Sequence, residues 1–459
     1  MRAGAFLYPW DVVGDPAAPE RLAALGVRQV TLASAYHSVR ALTPRHPRHR
    51  IVTARHAAVL YPPAPERWSG RELRPYEQRW VECGHPDGPY GEAAHALAEA
   101  GLSVHSWVVL AHNSRLGQEH PHIAVRNAYG DRYPWAPCIA RPEVREYAVT
   151  LAAEAAVRPF TDGTELESCG WYGLAHLHAH DKTGGVPLSG AAQYLMSLCF
   201  CEVCRAGYAG LGADPEELRA RVAAALEPVW GGSGPAEGPG AGRDEEWDGV
   251  CELLGAGAAA LCAAWRADAA RRLRREAVAA VRAAARERTD AGRDFRVTLH
   301  ADPAPHRLGA NAGVAPAEAV RDADGVVVPC GGGAAERAAA IGPFAAAAAA
   351  AAMGDDGAAA DTGREPGAAG TPPLTDAPLA HAPLARAPFT APEDFTVAAN
   401  FTVVSGMGGS PGTLAADAAH ARALGADELR LYHAGLAPDS DLAAVREALR
   451  GPVSGDPAG

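Results

Sequence analysis

Short apolar or β-branched runs, each followed by polar or aromatic residues, recur along the chain. Runs of this kind are typical of buried strands. The chain has eight of them, at residues 4–8, 29–34, 104–110, 163–168, 295–300, 325–329, 396–404 and 428–432. The hydrophobic pattern therefore predicts eight buried strands.

Helical patterns separate these runs, at residues 19–25, 91–100, 142–157, 316–321, 413–424 and 441–449. Several of them end in a glycine that the next strand follows, as in Ala-Leu-Gly-Val at 24–27, and this order indicates a glycine-capped helix. Strand–helix alternation repeated eight times predicts a parallel sheet closed into a (β/α)8 TIM barrel. A doubly wound open sheet is the alternative, but no Gly-x-Gly-x-x-Gly turn follows the first strand.

Three connections are too long for simple barrel loops, although one barrel with insertions can reach the length of residues 1–459. We expect an insertion at 36–90 after strand two and a helical insertion at 170–294 after strand four. A third, Ala/Gly/Pro-rich and low in complexity, covers 331–394 after strand six and is expected to be partly disordered. The arginine pairs within 246–288 are expected to lie on a solvated helix face.

The fourth predicted strand carries two glutamates, in Asp-Gly-Thr-Glu-Leu-Glu at 162–167. Side chains alternate across a strand, so Leu166 on the helix-facing side turns Glu165 and Glu167 into the barrel. A charge there is costly unless it is paired or functional. The pattern leaves two interpretations open: catalysis or substrate binding, or an ion pair with an arginine or histidine of a neighbouring strand.

The fifth strand offers a second carboxylate at the same rim, because His300 and Asp302 share one face of it. Cleavage of a glycosidic bond uses two such groups, one to protonate the leaving oxygen and one to attack the sugar or activate water. Asp302 would pair with Glu167 in this way. The alternative is that Asp302 caps the turn at Pro303.

Aromatic and polar residues near the strand ends extend this candidate site. Aromatic faces stack on sugar rings, although each ring alone is also compatible with packing. The residues expected to bind substrate are Glu165, His300, His105, Trp107, Trp171, Tyr172, Tyr36, Asn113, Arg115, Asn400 and Tyr432.

Two further stretches contain metal-compatible donors. Cys199, Cys201 and Cys204 could hold a structural zinc ion if Cys169 or Cys138 completed the set; three reduced structural thiols are the alternative. The histidines at 176, 178 and 180 are expected to face solvent or substrate rather than a metal. No other cofactor is expected.

Composition limits the remaining function classes. The net charge of −12 argues against nucleic-acid and anionic-membrane partners. The absence of a basic, apolar leader and of a long apolar run, together with nine cysteines, an odd number, predicts a cytoplasmic protein. The expected partner is a small-molecule or oligosaccharide substrate.

Three stretches within residues 100–210 form recognisable motifs: Arg-Asn-Ala-Tyr-Gly at 126–130 leading through Pro-Cys at 137–138 to Pro-Glu-Val-Arg-Glu-Tyr at 142–147, the strand at 162–167, and Cys-Phe-Cys-Glu-Val-Cys at 199–204. On these motifs the chain resembles the uncharacterised glycoside-hydrolase-like (β/α)8 barrels of bacteria. It implies a hydrolase barrel with its catalytic carboxylate at Glu167. The cysteine motif is also similar to the zinc-binding cysteines of some barrel β-galactosidases.

The chain departs from each better-known pattern of barrel glycosidases. The β-galactosidase type carries a nucleophilic glutamate on strand seven, where this chain has Asn400, and the α-galactosidase type an aspartate ending strand six, where it has Pro329 and Cys330. The α-amylase type uses carboxylates on strands four and five, nearest to Glu167 and Asp302, but with aspartate and glutamate in the opposite order.

The sequence therefore favours a glycoside hydrolase with Glu167 as general acid/base and Asp302 as nucleophile or base. One alternative is a metal-dependent hydrolase or isomerase using His105, Glu167 and His300. Another is a barrel that binds saccharides without cleaving them.

Overall fold

The computed structural model describes residues 1–78, 83–174, 181–186, 188–233, 242–288, 295–353 and 395–450. The strands are β1 (Arg2–Leu7), β2 (Gln29–Tyr36), β3 (Val39–Leu42), β4 (Ile51–Ala54), β5 (Ala58–Val59), β6 (Ser103–Val109), β7 (Ala124–Arg126), β8 (Arg132–Pro137), β9 (Gly163–Glu167), β10 (Arg296–His300), β11 (Gly325–Pro329), β12 (Thr396–Thr402) and β13 (Glu428–Tyr432).

The described helices are α1 (Ala18–Ala24), α2 (Pro65–Trp68), α3 (Gly88–Glu99), α4 (Ser114–Glu119), α5 (Pro142–Ala156), α6 (Gly190–Met196), α7 (Glu202–Gly210), α8 (Pro215–Trp230), α9 (Arg243–Leu254), α10 (Ala256–Arg286), α11 (Pro316–Asp322), α12 (Ala334–Ala352), α13 (Leu414–Ala423) and α14 (Asp439–Arg450). Five short 3-10 helices accompany them in the described part of the chain.

Eight parallel strands close into a barrel in the order β1-β13-β12-β11-β10-β9-β6-β2, and the pairing of β1 with β2 completes the ring. The predicted (β/α)8 barrel is confirmed, and each predicted strand lies within two residues of an observed one. The short strand β5 adds to β2 in antiparallel orientation. Two hairpins, β3–β4 and β7–β8, lie outside the barrel sheet.

Side chains of the barrel strands divide into an outer and an inner core. Outward residues such as Leu32, Val108 and Leu166 join the large cluster that packs against the helices. Inward residues such as Phe6 and Trp107 form a smaller cluster on the barrel axis. The alternation along β9 therefore directs Glu165 and Glu167 to the inner side, opposite Leu166.

The long connections contain most of the remaining helices. Helices α6 to α10 follow β9, and a bend of 119° at Gly255 separates α9 from α10. Gly255 has φ +84°, a conformation that glycine adopts without strain. Within the insertion at 331–394, residues 334–352 belong to α12, and 354–394 lie outside the described residues. The three histidines at 176, 178 and 180 also lie outside the described residues.

The described helices include none that by itself combines the length and apolar character of a membrane span. The bent pair of α9 and α10 reaches that length and apolar character when the two helices are counted together.

The arginine-rich helix α10 is not solvated along its whole length, which corrects the expectation from sequence. Arg274 is fully buried and donates to Asp322 at 2.6 and 2.8 Å. Glu318 accepts a further bond from Arg274 at 3.2 Å. Buried charges need such partners, so these contacts join α10 to α11 across the outer layer.

Replacing Arg274 with Met is expected to lower the free energy of unfolding by about 3 kcal/mol, because the buried Asp322 carboxyl group loses its best donor. Chemical denaturation measures the loss. Arg286→Ala, at an exposed position of the same helix, is the matched control and should change stability by less than about 0.5 kcal/mol. Equal effects of the two substitutions would contradict the assignment.

Candidate active site

The inner core of the barrel contains an ionised glutamate whose hydrogen-bond and ion-pair partners come from several strands. Glu165 is fully buried and accepts hydrogen bonds from Thr31 at 2.9 Å and from Gln29 at 3.1 Å. The Arg430 guanidinium lies 3.3 Å from the same carboxylate and 2.8 Å from Glu428. Burial alone raises the pKa of Glu165, but Arg430, His105 and His300 outweigh it and hold this pKa well below its ordinary value. The carboxyl group is therefore charged.

Two histidines flank this carboxylate from neighbouring strands. His105 Nδ1 lies 3.7 Å from Glu165 Oε1 and 3.1 Å from the Gln29 amide. His300 Nε2 lies 3.7 Å from Glu165 Oε2, and its Nδ1 lies 3.8 Å from Glu167 Oε2. His300 therefore stands between the two glutamates of β9, with one ring nitrogen turned to each.

Glu167 lies one layer nearer the mouth and is 5% exposed. The Trp107 indole donates a hydrogen bond of 2.7 Å to Glu167 Oε2. The Trp107 ring is parallel to the His300 ring, with centroids 6.3 Å apart, and Phe6 packs edge-on against both. These contacts fix the Glu167 carboxyl group in a largely apolar environment.

Four tyrosines lie near enough to Glu167 for its charge to act on their hydroxyl groups. Burial raises the pKa of each, and the charge of Glu167 adds to the effect, so their hydroxyl groups remain protonated donors. The four are Tyr8, Tyr36, Tyr172 and Tyr432. The Tyr8 hydroxyl lies 3.0 Å from both the Tyr36 hydroxyl and His433 Nδ1. A polar ligand at this mouth would meet hydroxyl donors and aromatic faces together.

Backbone strain marks the same rim. Ser168 and His433, which directly follow β9 and β13, have φ of +64° and +60°. Non-glycine residues in this region are uncommon and cluster at functional sites. Burial lowers the pKa of His433 to about 4, with a smaller contribution from His37, so this imidazole is neutral at neutral pH.

Asp302, the expected second carboxylate, is 8% exposed and held by a guanidinium. Arg243 donates to both of its oxygens at 2.8 Å, and Arg307 lies 3.5 Å away. Asp302 Oδ1 also accepts the Ala304 amide at 2.9 Å, which is the turn contact that the sequence left as an alternative. These bonds fasten the start of α9 to the loop after β10.

The other expected site residues divide into two groups. Tyr36, Trp107, Tyr172 and Tyr432 surround Glu167 as described, and Asn400 points inward from β12 with a buried Oδ1 that has no hydrogen-bond partner among the described residues. Three others bond to residues outside this group: Trp171 donates to Arg266 O at 3.0 Å, Asn113 caps α4, and Arg115 bonds to His56 and Glu119. Trp171 belongs to the outer core, facing α10.

Several residues that build the site did not emerge as candidates from the sequence. Gln29, Thr31, Glu428 and Arg430 all approach Glu165, directly or through one another. They are polar residues at inward positions of apolar strands, and that placement is the signal that could have identified them.

Four cysteines form a second candidate site, away from the barrel axis. Cys138, which follows β8, lies 3.6 Å from Cys204 and 3.8 Å from Cys201, and these three sulfurs and that of Cys199 are all within 4.8 Å of one another. All four residues are buried. Hydrogen bonds from the neighbouring thiols lower the pKa of Cys201, whereas burial raises that of Cys138. Four thiols at Zn–S bonds of about 2.3 Å stand about 3.8 Å apart, so the donor set fits zinc.

Among the residues that the structure describes, these cysteines are the one group of His, Cys, Asp or Glu side chains spaced to share a metal ion. His105, Glu167 and His300 do not form such a group there. Cys138, rather than Cys169, stands at the fourth position.

No protein-family model and no curated protein matches the chain. Its structure is similar to the glycoside hydrolase domain of PgaB (BpsB) from Bordetella bronchiseptica, with 13% identity and a TM-score of 0.48 over 98% of this chain and 97% of that one. A cold-adapted β-galactosidase from Rahnella sp. R3 has 12% identity and a TM-score of 0.47, over 98% of this chain and 55% of that one.

An α-L-fucosidase isoenzyme from Paenibacillus thiaminolyticus has 12% identity and a TM-score of 0.45, over 98% of this chain and 48% of that one. The chain also covers 40% of a β-galactosidase from Marinomonas ef1, so it spans about half the length of several of these proteins or less.

Replacing His433 with Asn, which tolerates positive φ, tests the neutral imidazole. A folded pKa of about 4 against an ordinary 6.5 means that the contribution of His433 to stability is complete above pH 6.5 and is lost as pH falls toward 4. The unfolding free energy of the wild type should fall by about 3 kcal/mol more than that of the variant over this range. Denaturation curves at several pH values measure it, with exposed His122→Asn as control. Parallel wild-type and His433→Asn curves would contradict the assignment.

Proposed function

We propose that the protein is a glycoside hydrolase that cleaves a glycosidic bond of a small or oligomeric saccharide at the mouth of its barrel, with Glu167 as the general acid/base. One observation carries the proposal: an inward carboxyl group at the end of β9 lies among hydroxyl donors and aromatic rings. Among the described residues its ion-pair partner is the His300 imidazole, with no arginine or lysine in contact. A carboxyl group so placed can give and take a proton.

The chemistry assigned to this site requires a proton donor and a second group. Glu167 gives its proton to the glycosidic oxygen as the bond to the anomeric carbon breaks. Tyr36, Tyr172 and Tyr432 offer hydroxyl donors and ring faces to the sugar. Asp302 is the proposed second carboxylate, as nucleophile or as base for a water molecule, and Arg243 has to release one of its oxygens for either role.

A barrel that binds a saccharide without cleaving it is the second candidate. Two observations favour it: both oxygens of Asp302 are occupied by Arg243, and an amide, Asn400, projects inward from β12. Such a protein keeps the aromatic mouth and lacks the second reacting group.

Glu167→Gln is expected to lower turnover of any glycoside that the protein cleaves by about 10²–10⁴-fold, because the amide cannot donate the required proton. Saccharide binding by calorimetry and the melting temperature should remain close to the wild type. Exposed Glu217→Gln is the matched control and should retain full activity. Unchanged turnover in Glu167→Gln would refute the acid/base assignment, and saccharide binding without turnover by the wild type would favour the second candidate.

We also propose that the cysteine cluster binds one zinc ion in a structural role. Four buried thiols from the β8 region and the start of α7 offer a complete tetrahedral set without an open position. Zinc bound there would fasten the β7–β8 hairpin to α7. The proposed hydrolysis itself requires no cofactor.

Cys204→Ser is expected to remove the zinc and to lower the unfolding free energy by about 4 kcal/mol, the contribution of a ligand present at ~1,000 times its Kd. Elemental analysis of the wild type should give one zinc ion per chain. Cys169→Ser and Cys251→Ser, outside the cluster, should retain it. A wild type purified without zinc, or zinc loss in Cys169→Ser alone, would overturn the assignment.

A further inference from the structure

The imidazole of His300 has an arrangement that the acid/base role of Glu167 does not by itself explain. Its two nitrogens face two carboxyl groups, Glu165 at 3.7 Å and Glu167 at 3.8 Å. His300 Nε2 and Glu165 Oε2 are both buried, and neither has a hydrogen-bond partner among the described residues. Buried polar atoms usually have a partner, and each of these two atoms is the nearest partner available to the other.

The charge on Glu165 determines which nitrogen of His300 carries a proton. Arg430 and the hydrogen bonds from Gln29 and Thr31 hold Glu165 in its ionised form. An ionised carboxylate accepts hydrogen bonds and donates none, so it favours the tautomer of His300 with the proton on Nε2, the nitrogen 3.7 Å away. A buried carboxylate that fixes one imidazole nitrogen in this way determines the role of the other nitrogen.

We propose that His300 is a positioning residue that shares one proton with Glu167 through Nδ1, while Glu165 fixes its orientation from the other side. The pair then holds one proton, either on Glu167 Oε2 or on His300 Nδ1, which lie 3.8 Å apart. Glu167 thereby retains the proton that a general acid needs. This inference rests on the acid/base role proposed for Glu167 and adds the group that supplies it.

The surroundings of the pair keep this proton from solvent. Phe6 and Trp107 cover the His300 ring, and Val327 of β11 stands beside it in register. Among the described residues, the charged and titratable groups near the pair include Glu165 next to His300, and Tyr8, Tyr36, Tyr172 and Tyr432 near Glu167. The four phenols stay protonated, so His300 is the group that exchanges a proton with Glu167 near neutral pH.

The Trp107 indole provides a readout that needs no substrate. Its Nε1–H donates to Glu167 Oε2 at 2.7 Å, so its proton and nitrogen NMR shifts follow the ionisation of Glu167. In a pH titration of the wild type, the Trp107 signal and the His300 ring signals should change with common midpoints. In His300→Asn, the highest-pH midpoint of the Trp107 signal should fall by about 1 unit or more, because Glu167 loses its proton-sharing partner.

His105→Asn is the matched control, since His105 also contacts Glu165 but has no contact with Glu167 among the described residues. It should leave the Trp107 midpoint in place. An unchanged midpoint in His300→Asn would overturn the inference. The ring nitrogen shifts of wild-type His300 provide a test that needs no variant: Nε2 should be protonated at neutral pH, and an unprotonated Nε2 would also overturn it.

The same measurements separate this inference from the hydrolase proposal. Coupled titration of Trp107 and His300 in a protein that cleaves no glycoside would uphold the shared proton and reject the hydrolase. If Glu167→Gln abolishes turnover but His300→Asn does not move the Trp107 midpoint, the hydrolase proposal is upheld and the shared proton is rejected. If both proposals hold, turnover of His300→Asn should decline on the alkaline side of its pH–rate profile at a lower pH than wild-type turnover. The difference should equal the shift of the Trp107 midpoint.

Discussion

The ion pair between Arg430 and Glu165 is the interaction on which the interior of this barrel depends. A buried carboxylate costs several kcal/mol unless a cation and hydrogen bonds compensate it. Arg430 of β13 reaches Glu165 of β9 across the barrel, and Gln29 and Thr31 of β2 complete the shell. The charge so stabilised then orients His105 and His300 on either side. Residues of β2, β6, β10 and β13 thus all approach one carboxylate of β9 inside the barrel.

The mouth of the barrel builds on this charged layer. His300 connects Glu165 below to Glu167 above, and Trp107 bonds to Glu167 while stacking parallel to His300. Phenol groups that burial keeps protonated, such as those of Tyr8 and Tyr36, lie near Glu167. The charged Glu165, the His300 imidazole next to it and the Glu167 carboxyl group among aromatic rings form one continuous arrangement. This arrangement supports the proposed transfer of a proton from Glu167 to a glycosidic oxygen.

The sequence predicted the barrel well because each strand is a local apolar run, and the alternation in β9 turned Glu165 and Glu167 inward. It did not predict the role of Arg430, because a lone charge in an apolar strand does not show which partner across the barrel it meets. Arg274 was expected in solvent for the same reason: helix periodicity does not show which neighbour covers a face. Trp171 illustrates a further limit, since a residue four positions after β9 can turn to either layer. Long-range contacts decided each of these cases.

Glu167 is proposed to be the reacting group at the barrel mouth. A crystal structure with a bound saccharide, obtained with the Glu167→Gln variant to prevent cleavage, tests it most directly. The sugar is expected to lie among Tyr36, Tyr172 and Tyr432, with its glycosidic oxygen about 3 Å from the side-chain amide at position 167. A saccharide bound with that oxygen beyond reach of position 167, or bound at another surface of the barrel, would contradict it.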